Sequence, residues 1–179
     1  MRCGMRSDSK PLNQAPTAAI IDSQSVRTTA QGEVRRYDAA KKVVGRKRHL
    51  LVDTLGVILL VCVHPANVQD RDGAHLLLAT LHRRFAWLGC IWADGGYAGA
   101  LVQWVRDLRP ARGTRLEVVK HQMALHRFKA LPRRWVVERT FALLGRSRRF
   151  SKDYEHTVSS SELFIYIAMI QLTLRRLAR

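Results

Sequence analysis

Apolar residues come in short continuous runs early in the chain and in spaced faces later. Residues 17–22, "TAAIID", are a short apolar run closed by an acid, the pattern of a strand buried on both faces. Residues 23–45 are polar and basic and read as an exposed loop. Two β-rich runs follow, 46–53 and 56–64, separated by Thr-Leu-Gly; this predicts a hairpin with Gly56 at the turn and Pro65 ending the second arm. In 71–89, Leu77, Leu81 and Phe85 recur four apart on one helical face, and Gly89 supplies the stop.

Residues 90–93, "CIWA", repeat the early pattern: an apolar run meeting Asp94 and then Gly95 and Gly96. A helix over 98–108 ends before Pro110, 114–120 reads as a strand, and a basic linker containing Pro132 leads into an amphipathic helix over 133–150. The last helix opens with a capping box from Ser159 to Glu162 and is apolar enough to be largely buried. The order of strand, hairpin, then helices alternating with strands predicts an α/β fold, a mixed five-stranded sheet with helices on both faces. Residues 1–16 have no period and form a loose lead-in to one domain over 17–179.

Charge changes this picture. The 31 Lys and Arg against 14 Asp and Glu give a formal net charge of +17, a large self-repulsion unless a polyanion is near. Nucleic acid is the natural partner; an anionic membrane surface and a ribosomal-type RNA-binding role compete with it. No apolar run reaches the roughly 18 residues of a membrane span, and no signal peptide is evident, so a cytoplasmic protein without a membrane partner is expected. Cys3, Cys62 and Cys90 lack metal-site spacing and read as small core residues in a reducing compartment.

Asp22 and Asp94 each close an apolar run. If their strands are neighbours, both carboxylates face one small volume, where a divalent cation would relieve their repulsion; oxygen-only ligands favour magnesium or manganese. Taken alone, Asp94 reads first as a turn-closing residue that needs no metal. Glu138 is a single acid on a basic helical face, either a surface ion pair with Arg134 or a third metal ligand flanked by phosphate-holding arginines. The cluster around Arg46, Lys47 and Arg48 is the densest positive run outside that helix and a candidate phosphate contact. His121 and His126, among other cations, read as phosphate contacts rather than zinc ligands.

"AIIDSQSVRT", "GRKRHLLVDTLG", "PANVQDRDGA", "ADGGYAG" and "RRWVVERTFALLGRSRRFSKDYE", in that order, resemble bacterial insertion-sequence DDE transposases of the insertion-sequence-five type, within the insertion-sequence-four/five superfamily. The resemblance implies an RNase H-like (retroviral integrase-like) fold. It also implies Asp22, Asp94 and Glu138 as catalytic acids holding two Mg2+ or Mn2+ ions. Cleavage of transposon-end DNA and transfer of the freed 3′-hydroxyl into target DNA would follow. Arg134 matches the arginine of the pattern around the glutamate, whereas Leu131 stands at its tyrosine position and Gly145 at its lysine, with Arg146 one place on. With Arg46, Lys47, Arg48 and Arg139, Arg134 and Arg146 form the expected DNA-binding set. The family's partners are double-stranded terminal inverted repeats and target DNA, its active complex a homodimer, its location the nucleoid. The helical N-terminal region usual in such enzymes is not seen. This leaves a frameshifted enzyme or, alternatively, an inactive remnant that only binds DNA or the full-length protein.

Overall fold

The computed structural model describes residues 15–30, 32–85, 87–108, 113–119 and 135–178. Its strands are β1 (Ala18–Arg27), β2 (Arg36–Asp38), β3 (Val43–Asp53), β4 (Ile58–Pro65), β5 (Cys90–Ala93) and β6 (Arg115–Val118). Its helices are α1 (Asp70–Leu78), α2 (Leu81–Arg84), α3 (Ala100–Asp107), α4 (Trp135–Gly145) and α5 (Val158–Leu177). The lead-in to residue 14 and the linker over 120–134 lie outside the described residues.

One mixed sheet contains all six strands. β3 pairs antiparallel with β1 along one edge and with β2 and β4 along the other, while β5 and β6 add parallel to β1. The five-stranded expectation is therefore corrected to six strands among the described residues, and part of the expected loop over 23–45 is strand. β1 runs on through Arg27 because β3 is long enough to pair with it from Ala19 to Arg27. Asp38 then builds the turn back into β3, its Oδ1 accepting from the backbone N–H groups of Ala40 and Lys41 at 3.0 and 3.1 Å. The hairpin turn falls where expected, with Gly56 at φ +85.

Strand alternation sends side chains to two cores. Ala19, Ile21 and Leu51 pack with Leu77, Leu78, Leu101 and Val105 of α1 and α3. Ile20, Leu50 and Val52 pack on the other face with Val137, Phe141 and Ile165 of α4 and α5. Helices thus cover both faces, as the element order implies. The expected helix over 71–89 is interrupted between α1 and α2, and that over 133–150 stops at Gly145, followed by a short 3-10 turn over Arg148–Phe150. α5 is capped by Thr157, whose Oγ1 accepts from the Ser160 N–H at 3.1 Å; Glu162 instead accepts from the Val63 N–H at 2.8 Å, tying α5 to β4. The expected Ser159 cap is replaced because the chain enters the helix two residues earlier.

The interior of β3 is polar. Arg46 is 0% exposed; its guanidinium donates to the carbonyls of Val34, Glu155 and His156 at 2.9, 2.9 and 2.6 Å and lies 3.5 Å from the equally buried Asp153. Arg48 donates to the carbonyls of Phe150 and Lys152 at 3.0 and 3.1 Å. Both arginines face the α4–α5 side and fasten the segment entering α5.

On the opposite face the pairs form a chain. His64 Nδ1 lies 3.0 Å from the Pro65 carbonyl, His49 Nδ1 2.8 Å from His64 Nε2, and His49 Nε2 2.9 Å from the Tyr97 hydroxyl. A carbonyl only accepts, which fixes every proton: His64 donates to Pro65, His49 to His64, and Tyr97 to His49. Gly73 of α1 sits directly on the pair; a Cβ there would lie 2.4 Å from His64 Nε2. Burial first, then His64 and Lys47, push His49 down to about 3 against the pull of Asp70. Burial likewise lowers His64.

Two predictions follow from this interior. Arg46→Ala strands Asp153 without its cation and is expected to cost about 3–5 kcal/mol in urea unfolding, with no rescue by Arg46→Lys, which lacks the fork. Unchanged stability would show the cation to be a surface contact. The neutral histidines make the second: the unfolded chain takes up protons as pH falls through about 6.5 while the folded chain does not, so stability is full above that pH and is lost toward about 3. His49 alone should remove about 2 kcal/mol between about pH 7.5 and 5, above the carboxylate range, and His49→Gln should flatten the slope. A pH-independent denaturation midpoint across that window would contradict a neutral buried pair.

Candidate functional site

The parallel pairing of β1 with β5 positions the first two acids. Ile20 pairs with Trp92, and both side chains belong to the α4–α5 core. The ladder ends at that pair, and Asp22 and Asp94 each lie two residues beyond it along their own chains. Asp94 stands just past the end of β5, as expected, whereas Asp22 is mid-strand rather than at a strand end. β1 outlasts its neighbour because β3 continues to pair with it.

Asp94 closes a turn as well. Its Oδ1 accepts from the Gly96 N–H at 2.8 Å and caps the 3-10 turn over Gly95–Tyr97. Asp22 Oδ1 accepts from the Ser23 N–H at 2.7 Å. Below them Tyr97 is buried, and its hydroxyl is held well above the ordinary phenol range, by burial first and then by the negative charge of Asp22, Asp70 and Asp94. Three carboxylates therefore act on one phenol, which stays neutral and donates to His49.

Asp70 is the member the sequence reading missed. Its Oδ1 accepts from Ser23 Oγ at 2.7 Å and lies 3.0 Å from Lys47 Nζ. Burial alone would raise this carboxyl; the hydrogen bonds from Ser23 and Lys47 outweigh it and hold it below its ordinary value. Its motif, "PANVQDRDGA", was visible, but nothing in its spacing tied it to Asp94. Asp38, Lys47, Asp70 and Gly96 line a cleft of about 510 Å³ beside the Asp94 turn, with exposed Tyr37 at its rim.

Glu138 lies exposed on α4, which packs on β1 and β3 through Val136, Val137 and Phe141. Among the described residues no group of three His, Cys, Asp or Glu is placed to hold a metal ion together. Asp22, Asp94 and Glu138 are carboxylate donors of the kind a hard divalent cation takes.

The expected DNA contacts divide. Arg46, Lys47 and Arg48 are 0, 5 and 3% exposed, which corrects their assignment as phosphate contacts: their charges are spent on backbone carbonyls, Asp153, Asp38 and Asp70. Arg139 donates to the Leu55 carbonyl at 3.0 Å and stacks over Trp135 at 4.5 Å. Arg146 is exposed at the end of α4, on the rim of a groove of about 620 Å³ shared with Arg149, Arg175 and Arg176. Arg134, His121 and His126 lie outside the described residues. Cys62 and Cys90 are half-buried thiols, and no described helix is long and apolar enough to cross a membrane.

Comparison with curated proteins finds no match. A family described as Transposase DDE domain matches residues 13–174, a span holding every strand and nearly all of α5. The chain belongs to the DDE transposase domain family, which places its activity in DNA transposition, with nuclease or polynucleotidyl-transferase chemistry on a DNA partner.

Proposed function

We infer that this is the catalytic domain of an insertion-sequence-five-type transposase with an RNase H-like fold, which cleaves transposon-end DNA and transfers the 3′-hydroxyl into target DNA. The observation that supports the reading is the parallel pairing of β1 with β5, two residues beyond which each chain carries one of the proposed acids, Asp22 and Asp94. A strand and hairpin followed by strands parallel to the first supports the fold class.

Asp22 and Asp94, with Glu138 as the third acid, would hold divalent cations, magnesium or manganese. Such ions, when bound, sharpen an attacking oxygen and stabilise the leaving one. In cleavage a water oxygen bonds to the scissile phosphorus and the 3′-oxygen leaves as a hydroxyl; in transfer the oxygen of that hydroxyl bonds to a target phosphorus and the target's own 3′-oxygen leaves, taking up a proton. The chain's own part is positioning. The Asp94 turn is held by its bond to Gly96 and anchored through Tyr97 on His49. Arg146, with the exposed arginines beside it, is the proposed phosphate contact, and Arg139 steadies α4 against the β3–β4 turn.

A second reading, a DNA-binding domain without activity, is favoured by one observation: no three acids are grouped among the described residues. Nicking of DNA bearing the element's ends separates the two. With magnesium or manganese present, the parent chain is expected to nick, and Asp94→Ala and Glu138→Gln to fall to the metal-free background while retaining salt-sensitive DNA binding. Nicking that survives either substitution would sink the assignment; binding without nicking by the parent would establish the second reading.

A further inference from the structure

The turn between β2 and β3 holds two lysines just ahead of the buried cations of β3, and its shape is fixed from below. Asp38, 5% exposed, accepts from the N–H groups of Ala40 and Lys41 through Oδ1 and from Ser25 Oγ at 2.6 Å through Oδ2. Lys42 takes φ +53, the left-handed conformation, and among the described residues no other non-glycine has a positive φ. Lys41 and Lys42 are both exposed. Lys41 nonetheless bends back over the sheet, where its Nζ donates to the Ser23 carbonyl at 3.3 Å.

Three observations put that ammonium at the candidate site. Ser23 follows Asp22 and lies past Ile20, the last residue of β1 that pairs with β5. Ala39 and Ala40 of the same turn line the cleft that Gly96 lines beside Asp94. The charge of Lys41 also acts on His49, whose ring accepts from Tyr97 of the Asp94 turn. Its hydrogen-bonding capacity is largely unspent. Lys47 is held by Asp38, Asp70 and the Val68 carbonyl. Lys41 has one long bond to a neutral carbonyl and forms no ion pair among the described residues. Asp22, Asp70 and Asp94 all act on Tyr97, so a phosphate brought here meets three negative charges, and a cation with spare donors is what offsets them.

We propose that Lys41 touches the substrate: its ammonium donates to a non-bridging oxygen of a DNA phosphate bound at Asp22 and Asp94, and the Ser23 carbonyl holds it there before the DNA arrives. This rests on the reading of Asp22 and Asp94 as the catalytic acids. An ammonium has three donors, so the Ser23 bond is kept while the phosphate takes another. As a point charge it asks no fixed angle of approach, and the Asp38 turn supplies the position instead. Arg146 and its neighbours stand at the end of α4 and suit the flanking duplex; Lys41, anchored one residue from Asp22, acts on the phosphate at the acids.

Metal-free binding of DNA bearing the element's ends tests it, with one phosphate at a time replaced by an uncharged methylphosphonate. Lys41→Gln keeps a donor for Ser23 and loses the charge, so its circular dichroism and melting temperature should be those of the parent. It is expected to weaken binding about tenfold and to lower the salt slope by about one. Lys41→Arg, which keeps the charge, should bind like the parent. One methylphosphonate should cost the parent the same factor and cost Lys41→Gln nothing further, whereas Lys42→Gln should lose affinity additively with it. Asp94→Asn removes a negative charge; it should tighten binding of the natural DNA and lose that gain at the same phosphate, which locates the contact without any nicking. Additive losses for Lys41→Gln at every phosphate, or a coupled phosphate to which Asp94→Asn is indifferent, would overturn the proposal. If these couplings hold and the parent fails to nick with magnesium or manganese, the catalytic reading falls and the phosphate contact stands.

Discussion

The guanidinium of Arg46, sealed between the sheet and the segment entering α5, is the constraint on which one face of this protein depends. A cation at 0% exposure loses its hydration entirely, and only a full set of acceptors offsets that loss. Arg46 finds three backbone carbonyls within 2.9 Å together with the Asp153 carboxylate. Asp153 in turn accepts from Ser161 of α5 at 2.8 Å, and its backbone bridges to Arg27 and Thr29 beyond the β1–β3 ladder. One charge pair thereby ties the middle of the sheet to the start of the last helix. The α4–α5 layer, and with it the side of β1 that carries Asp22, is fixed in place by that tie.

The candidate site is built where two kinds of strand pairing meet. β1 is antiparallel to β3 throughout and parallel to β5 only at its beginning, so β5 ends while β1 continues. At that step Asp94 leaves the sheet into a glycine-rich turn, and Asp22 remains inside a strand. The two acids are under different restraint: Asp22 is held by the β3 ladder along one edge of its strand, Asp94 by one backbone hydrogen bond and by the turn that carries Tyr97. Beneath them the histidine chain keeps the Tyr97 proton pointed away from the carboxylates. Three negative charges then act on a neutral group, whose ionisation would add a fourth.

Much of this was legible in the sequence, and the failures have physical causes. The apolar runs marked β3, β4, β5 and the faces of α1 and α2, because burial on both sides of a sheet demands apolar residues at successive positions. Asp94 at the end of "CIWA" could be read as a turn residue or a ligand; the turn role is present in the structure and the ligand role remains a proposal. The second half of β1 was missed because Ser23, Gln24 and Ser25 are polar. Ser23 and Ser25 face the α1 side, where Asp70 and Asp38 accept their protons, so polarity there signals an internal network rather than a loop. Asp70 itself was invisible as a partner of Tyr97, since only tertiary folding brings α1 over the Asp94 turn.

The misplacement of the "GRKRH" cations follows from treating charge density along a sequence as charge density on a surface. On a strand covered on both faces, alternation gives a cation no route to solvent, whatever its identity. Arg46 and Arg48 are long enough to reach the carbonyls of the returning chain, and Lys47 projects oppositely to Asp38 and Asp70. Arginine suits the sites built of several carbonyls because its planar fork donates in fixed directions and is weakly hydrated, whereas lysine sits between two carboxylates as a point charge. Three of the chain's 31 cations are thus structural. The outer positive field is carried instead by residues such as Arg146, Arg149, Arg175 and Arg176, gathered where α4 ends and α5 finishes, while the length of α5 between 163 and 174 carries none. That segregation leaves the end of α4 and the C-terminal end of α5 as a cationic surface for a polyanion.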